Sequence, residues 1–228
     1  MREANLNPVR CLITAGPTRE YLDPVRFMTN ASSGKMGYAL AEKAVAIGWE
    51  VDLLSGPVAL EPVQGVRIHS VVSAEDMLTA AGPLFQACDV IFMVAAVSDY
   101  RPVHRAVQKM KKTASRMTVD LIRTTDILST LAAGKNRQVV VGFAAETDNL
   151  EGYARKKLTD KGLDWIVAND ISRPEVGMEV DDNRVILLSA AGARLPFGPA
   201  PKPEVAGFIL EQVRPSVESV RMTVEQNR

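Results

Sequence analysis

Cysteine and histidine are scarce. Cys11, Cys88, His69 and His104 are the only ones in 228 residues. Both cysteines sit in apolar runs and form no C-x-x-C pair, which excludes a disulfide framework and reads as two buried thiols. Two histidines are too few for a histidine-rich metal site. A charge excess of either sign is also lacking, with 27 Lys and Arg against 27 Asp and Glu. That balance argues against general binding to nucleic acid or to a membrane surface, because both need a basic face. No apolar stretch reaches the ~20 residues of a membrane span. Residues 1–10 are polar and lack a signal-peptide core, so a cytoplasmic location is expected. There is no internal repeat and no low-complexity segment.

What is present is a globular composition, 46% hydrophobic, and an alternation of strand-like and helix-like segments. Strands are expected at 10–15, 50–54, 66–72, 89–97, 117–122, 138–144 and 164–168. Helices are expected at 34–48, 74–86, 126–133 and 150–161. A hairpin is expected from 184–189 and 193–197 about Ala191-Gly192, then a closing helix at 203–213 and a polar, frayed tail from 215. The alternation predicts one α/β domain over 1–228, a mainly parallel sheet with helices on both faces. Ligands in such folds bind in the loops after the carboxyl ends of the strands.

The chemistry-bearing residues fall after expected strands. A long loop, 16–33, leads into the first helix and ends Ser32-Ser33-Gly34-Lys35-Met36-Gly37. The spacing mimics G-x-G-x-x-G with serine in the first place. Glycines admit a phosphate to the backbone, and the free N–H groups of a helix start attract anions. A plain N-cap at Ser32 or Ser33 is the alternative. Walker A is excluded by Thr29 and by Met36 after Gly34-Lys35. A nicotinamide fingerprint fails because the loop is too long and the second strand ends in Ser55-Gly56 rather than an acid. Arg26 and Asn30 in the same loop could grip a phosphate or carboxylate and an amide, or belong to a surface turn.

Val94-Ala95-Ala96-Val97-Ser98-Asp99-Tyr100 closes another strand. Its small residues leave room for a ligand, and Asp99 can bind a metal or a hydroxyl, or be a solvated loop aspartate. Residues 101–117 carry Arg101, Arg105, Lys109, Lys111, Lys112 and Arg116 and no acid. Polyphosphate suits such a segment, which reads as a mobile flap or as a solvated charge run. Gly142-Phe143-Ala144-Ala145-Glu146-Thr147 ends a further strand. Phe143 is placed to stack on a base or to join the core, and Lys157 and Lys161 share one helix face. Asn169, at the next strand end, reads a nucleobase or caps a turn.

Together these segments resemble phosphopantothenoylcysteine synthetase, the ligase half of the bacterial bifunctional coenzyme A protein, from about 13 to 213. The resemblance rests on Ile13-Thr14-Ala15-Gly16-Pro17-Thr18-Arg19-Glu20, on 32–37 and on 142–147. It implies a Rossmann-like fold and a catalytic set of Asn30, Arg26 and Lys109. Asn30 would hold the acyl-nucleotide, Arg26 would serve the second half-reaction, and Lys109 would serve the first. It implies nucleotide contacts from Ser33, Gly34, Met93, Val94, Ala95, Asp99, Lys109, Thr125, Asp126, Ile127, Leu128, Phe143, Lys157, Lys161 and Asn169. Arg26, Asn30, Ala95 and Ala96 would bind the acid substrate, and Asp99 would hold Mg²⁺. Thr124-Thr125-Asp126-Ile127 stands where relatives have Asn-Pro-Asp-Ile, and Met110 stands in the flap where they have isoleucine.

The implied reaction joins 4′-phosphopantothenate to cysteine at the expense of CTP, the nucleotide of the bacterial branch. A homodimer with composite sites is implied, with 95–100 near the neighbouring subunit. No flavin is expected on this chain; any decarboxylase would come from a separate chain or domain. Two rivals remain. A nicotinamide oxidoreductase would need an acid after the second strand. A non-catalytic nucleotide-binding module would not need a lysine-rich flap beside Arg26 and Asn30.

Overall fold

The computed structural model describes residues 7–111, 115–146, 148–171 and 180–226. Its strands are β1 (Arg10–Ala15), β2 (Arg19–Asp23), β3 (Arg26–Thr29), β4 (Glu50–Ser55), β5 (Val66–Ser70), β6 (Val90–Met93), β7 (Tyr100–Pro102), β8 (Leu121–Arg123), β9 (Val139–Glu146), β10 (Trp165–Asp170), β11 (Asp182–Ser189) and β12 (Arg194–Pro201). Its helices are α1 (Lys35–Ala46), α2 (Ala74–Ala87), α3 (Ile127–Ala133), α4 (Leu150–Asp160) and α5 (Lys202–Gln226). Eight strands form one sheet in the order β12-β11-β10-β9-β6-β1-β4-β5. The run from β5 to β10 is parallel, and β11 and β12 add to it antiparallel. The chain winds outward from β1 through β4 and β5, then returns to β6 and winds the other way. The reversal lies between β1 and β6, where such sheets open a crevice at their carboxyl ends.

Two apolar layers cover the sheet. On one face Ile13, Phe92, Val141, Val167 and Leu187 pack under Leu40 and Ala44 of α1 and Ile209 and Val213 of α5. On the other, Leu12, Ile91, Val140 and Ile166 pack under Met77 and Phe85 of α2, Leu131 of α3 and Leu158 of α4. Strands buried on both faces read as continuous apolar runs, which is why they were visible in sequence. Cys11 and Cys88 are buried and unbridged in opposite layers. Burial pushes both thiols up, Cys88 to about 12.

Four expectations need correction. The 89–97 run is a strand only to Met93, because Thr14 Oγ1 takes the amides of Val94 and Ala95, both at 3.1 Å, and turns the chain off the ladder. The strand expected at 117–122 is the three-residue β8, exposed and paired with β7 rather than with the main sheet. The loop 16–33 contains the β2–β3 hairpin. The tail from 215 is not frayed. Helix α5 runs through Pro215 to Gln226, and Val213 and Val217 lie fully buried on either side of the proline. Their packing outweighs the ~3 kcal/mol that an interior proline costs.

Helix α1 begins differently from a serine-capped helix. Its N-cap is Gly34 at φ 78°, with no side-chain cap. At Gly37 an added Cβ would lie 2.5 Å from Ala15 Cβ. The two glycines therefore bring the open start of α1 against the carboxyl end of β1.

Candidate active site

A cleft of about 710 Å³ opens at the reversal point, within the size range of small-molecule sites. Its floor is the end of β1 at Gly16, the end of β6 at Met93, and Val94, Ala95, Ala96 and Val97 beyond it. Gly16 accepts from the Ala96 amide at 2.9 Å, so the two strand ends stay joined after the ladder stops. Asn30 reaches across and donates from Nδ2 to the carbonyls of Ala96 at 3.3 Å and Val97 at 3.0 Å. The small residues of this segment thus form a wall fixed from both sides.

The wall beyond is cationic. Lys157 on α4 donates to the Phe143 carbonyl at 2.7 Å. Burial, then the nearby Lys161 charge, lowers the pKa of its ammonium. Lys161, one turn on, pairs with Asp126 at 2.7 Å. Asp126 caps α3 through the Ser129 amide at 2.9 Å. Burial works against its charge, but Lys161 and the Ser129 amide prevail and hold its carboxyl below the ordinary value. The turn at 124–127 is a sound helix cap despite its variant sequence. Phe143 is half-buried against the α1/α5 layer and also borders the cleft.

Most of the residues singled out in the sequence meet here. Asn30, Gly34, Met93, Val94, Ala95, Ala96, Asp99, Thr125, Asp126, Ile127, Leu128, Phe143, Lys157, Lys161 and Asn169 all line the cleft. Ser33, Arg26 and Lys109 do not. Arg26 is turned into its own hairpin, pairing with Asp23 at 2.8 Å and donating to the Met110 carbonyl at 3.2 Å. Asp23 is fully buried. Burial opposes its charge, but the amides of Val25, Met110 and Arg26 and the Arg26 guanidinium hold its carboxyl below the ordinary value. The Met110 peptide is thereby gripped at both its N–H and its C=O, and Lys109 sits exposed beside that grip. Lys112 and Thr147 lie outside the described residues.

Lys35, quoted in the 32–37 motif without a role of its own, also borders the cleft, as do Asn183 and Lys202, which sequence reasoning missed. Lys35 and Lys202 are the first residues of α1 and α5, and only the fold brings those two helix starts together. Asp99 is exposed and lines the cleft. Among the described residues no three His, Cys, Asp or Glu side chains gather to hold a metal alone. A magnesium ion carried by a nucleotide's phosphates needs only one or two carboxylates, and Asp99 fits that role.

A doubly wound sheet whose reversal point opens on a lysine-walled cleft makes this an α/β protein with a candidate ligand site at its strand ends. The chain belongs to the DNA/pantothenate metabolism flavoprotein C-terminal domain family, whose model matches residues 6–216. It is 46% identical over 211 residues to the coenzyme A biosynthesis bifunctional protein CoaBC of Bacillus subtilis, covering 92% of this chain and 52% of that protein. The chain thus spans about half the length of the curated relatives it matches. It superposes on the crystal structure of the C-terminal domain of a CoaBC protein with TM-score 0.81 and 47% identity, covering 94% of this chain and 98% of that one. A DNA/pantothenate metabolism flavoprotein from Streptococcus pneumoniae gives TM-score 0.77 at 26% identity, covering 90% and 98% of the two chains.

Proposed function

We propose that this chain is a phosphopantothenate–cysteine ligase acting in coenzyme A biosynthesis. The observation that carries the reading is the match over nearly the whole length of the CoaBC C-terminal domain. The cleft at the sheet reversal supports it, since it gathers most of the residues that the resemblance implied.

In the first step, a carboxylate oxygen of 4′-phosphopantothenate attacks the α-phosphorus of CTP. The bond from that phosphorus to the bridging oxygen breaks, and pyrophosphate leaves with the electron pair. In the second, the amino nitrogen of cysteine attacks the acyl carbon, loses a proton, and expels CMP to leave an amide. Attack of one anion on another needs cations. Lys157 and Lys161 supply fixed positive charge on the wall, and Lys109 would come from the gripped segment beside it. Asn30, held against Ala96 and Val97, would orient the acyl-nucleotide with Ala95 and Ala96, and Phe143 would lie against the base. Asp99 would hold Mg²⁺, which offsets phosphate charge when bound. A segment closing over the cleft would keep water from the acyl-nucleotide.

A homodimer fits the same reading. Strand β2 packs beside β7, so the two ribbons form one surface. It exposes Val25, Phe27, Tyr100, Leu121 and Ile122, apolar side chains that a second copy of the chain would cover. No helix among the described residues is long and apolar enough to cross a membrane, in keeping with the cytoplasmic location proposed for a coenzyme A enzyme.

The test is pyrophosphate release from each nucleoside triphosphate with phosphopantothenate present. Release with CTP well above that with ATP, and amide product only after cysteine is added, is the expected result. Equal turnover with ATP would overturn the nucleotide assignment. No release with any nucleotide would overturn the ligase reading.

A further inference from the structure

The segment 13–20 has no part in the proposed reaction beyond lending Gly16 to the cleft floor. Its threonines, Thr14 and Thr18, are fully buried. They replace a missing strand partner. Past Met93 the chain leaves the β-ladder, so its amides need other acceptors. Thr14 Oγ1 takes those of Val94 and Ala95, and Thr18 Oγ1 takes that of Ser98 at 2.9 Å.

Thr18 is engaged at its backbone as well. Its N–H donates to the Ala96 carbonyl at 3.3 Å, the same oxygen that Asn30 Nδ2 reaches at 3.3 Å. Its carbonyl accepts from Thr29 Oγ1 at 2.8 Å, one residue before Asn30, and from Ser98 Oγ at 3.5 Å. The Ser98 carbonyl accepts in turn from Thr124 Oγ1 at 2.6 Å, and the Thr124 amide donates to the Asp99 carbonyl at 2.9 Å. Thr18 thus joins the loop bearing Asn30, the wall 96–99 and the turn that leads into Asp126. Asn30, Asp99, Thr124 and Asp126 line the cleft, whereas Thr18 and Ser98 are buried behind them.

We propose that Thr18 is a positioning residue for the ligase reaction, holding Asn30 in register with the nucleotide side of the cleft. The inference rests on the ligase reading and deepens it. Asn30 is an exposed side chain at the end of a short hairpin, so its place depends on the bonds behind it. Reacting groups tolerate little displacement, and a shift of about 1 Å can cost rate by roughly a hundredfold. Valine at position 18 would keep the shape and remove the acceptor. The Ser98 amide then loses its buried partner, and the wall must shift to find it another. That moves the carbonyls on which Asn30 rests, while Lys157, Lys161 and the start of α3 stay as they are.

The experiment uses the whole chain and the variants Thr18→Val, Thr18→Ser and Asn30→Ala, with the double variant Thr18→Val/Asn30→Ala. Thr29→Val, at an exposed side chain, removes the other anchor of the Asn30 loop and keeps the test open should Thr18→Val fail to fold. Melting curves give the folded fraction, and steady-state amide formation gives kcat and KM for CTP per folded site. Thr18→Val should lower kcat roughly ten- to hundredfold and leave KM for CTP nearly unchanged. Thr18→Ser keeps the hydroxyl and should recover most of the rate. Thr29→Val should lower kcat in the same direction. The double variant should be no slower than Asn30→Ala alone, because Thr18 acts through Asn30. A loss that adds in full to that of Asn30→Ala, a loss confined to KM, or wild-type kcat in both Thr18→Val and Thr29→Val would overturn the positioning role and leave the ligase reading intact. A wild-type chain that forms no amide from phosphopantothenate, cysteine and CTP would overturn both.

Discussion

At the scale of single residues, charge and its absence would separate the two half-reactions of the proposed ligase. Lys109 carries an ammonium beside the gripped Met110 peptide, where it would offset triphosphate charge. Asn30 offers a neutral amide held to the wall. Lys109→Gln should therefore slow acyl-nucleotide formation, roughly a hundredfold or more by analogy with loss of one fixed electrostatic donor. Asn30→Asp should still form it but stall at the amide, because a new anion faces the phosphate-bearing intermediate. A quench of labelled CTP with phosphopantothenate and no cysteine reads both. Acyl-nucleotide at wild-type speed on Lys109→Gln, or normal product from Asn30→Asp, would contradict the assignments. Asn30 and Phe143 were legible because they lie in motifs after apolar strands, and Lys157 and Lys161 because their four-residue spacing puts them on one helix face. Lys202 was not, since 167 positions separate it from Lys35 and alone it is an ordinary surface-type residue.

At the scale of elements, the β2–β3 hairpin matters more than its exposed position suggests. Its Asp23 and Arg26 bind the backbone N–H and C=O of one residue, Met110, some 87 and 84 residues away. Arg26 is thus a positioning residue for the basic segment as it stands. Asp23→Asn keeps the size but removes the charge that holds Arg26 and weakens the acceptor for the Met110 amide. We expect acyl-nucleotide formation to slow toward the Lys109→Gln level, and tryptic cleavage after Lys109 and Lys111, both exposed, to accelerate. Unchanged cleavage together with unchanged rate would contradict the clamp. The hairpin was hidden in sequence because its strands are only five and four residues long and neither alternates cleanly between apolar and polar. The long helix α5 was hidden for a different reason. Pro215 reads as a stop signal, and the burial of Val217 that overrides it is a tertiary effect.

At the scale of the whole molecule, the sheet order explains why one cleft gathers residues from segments spread between Gly16 and Lys202. Reversal between β1 and β6 leaves a gap that the loops after both strands must line, and the outer strands β9 and β10 bring their own ends alongside. The alternation of apolar runs foretold this architecture, because parallel strands buried on two faces leave a strong imprint on composition. The ribbons β2–β3 and β7–β8 stand outside the sheet, and their exposed apolar residues predict a second copy of the chain as their cover. Light scattering at working concentration should give a mass near twice 24.8 kDa. A fully active monomer would contradict a shared site.

The central claim is that the acid is activated on the nucleotide's α-phosphate, and an isotope decides it most directly. Phosphopantothenate labelled with ¹⁸O in its carboxylate is turned over with CTP and cysteine, and the products are weighed by mass spectrometry. The account predicts one ¹⁸O in CMP, one in the new amide carbonyl and none in pyrophosphate, since the attacking carboxylate oxygen leaves with the nucleotide. Label in inorganic phosphate or pyrophosphate, with unlabelled cytidine nucleotide, would contradict it.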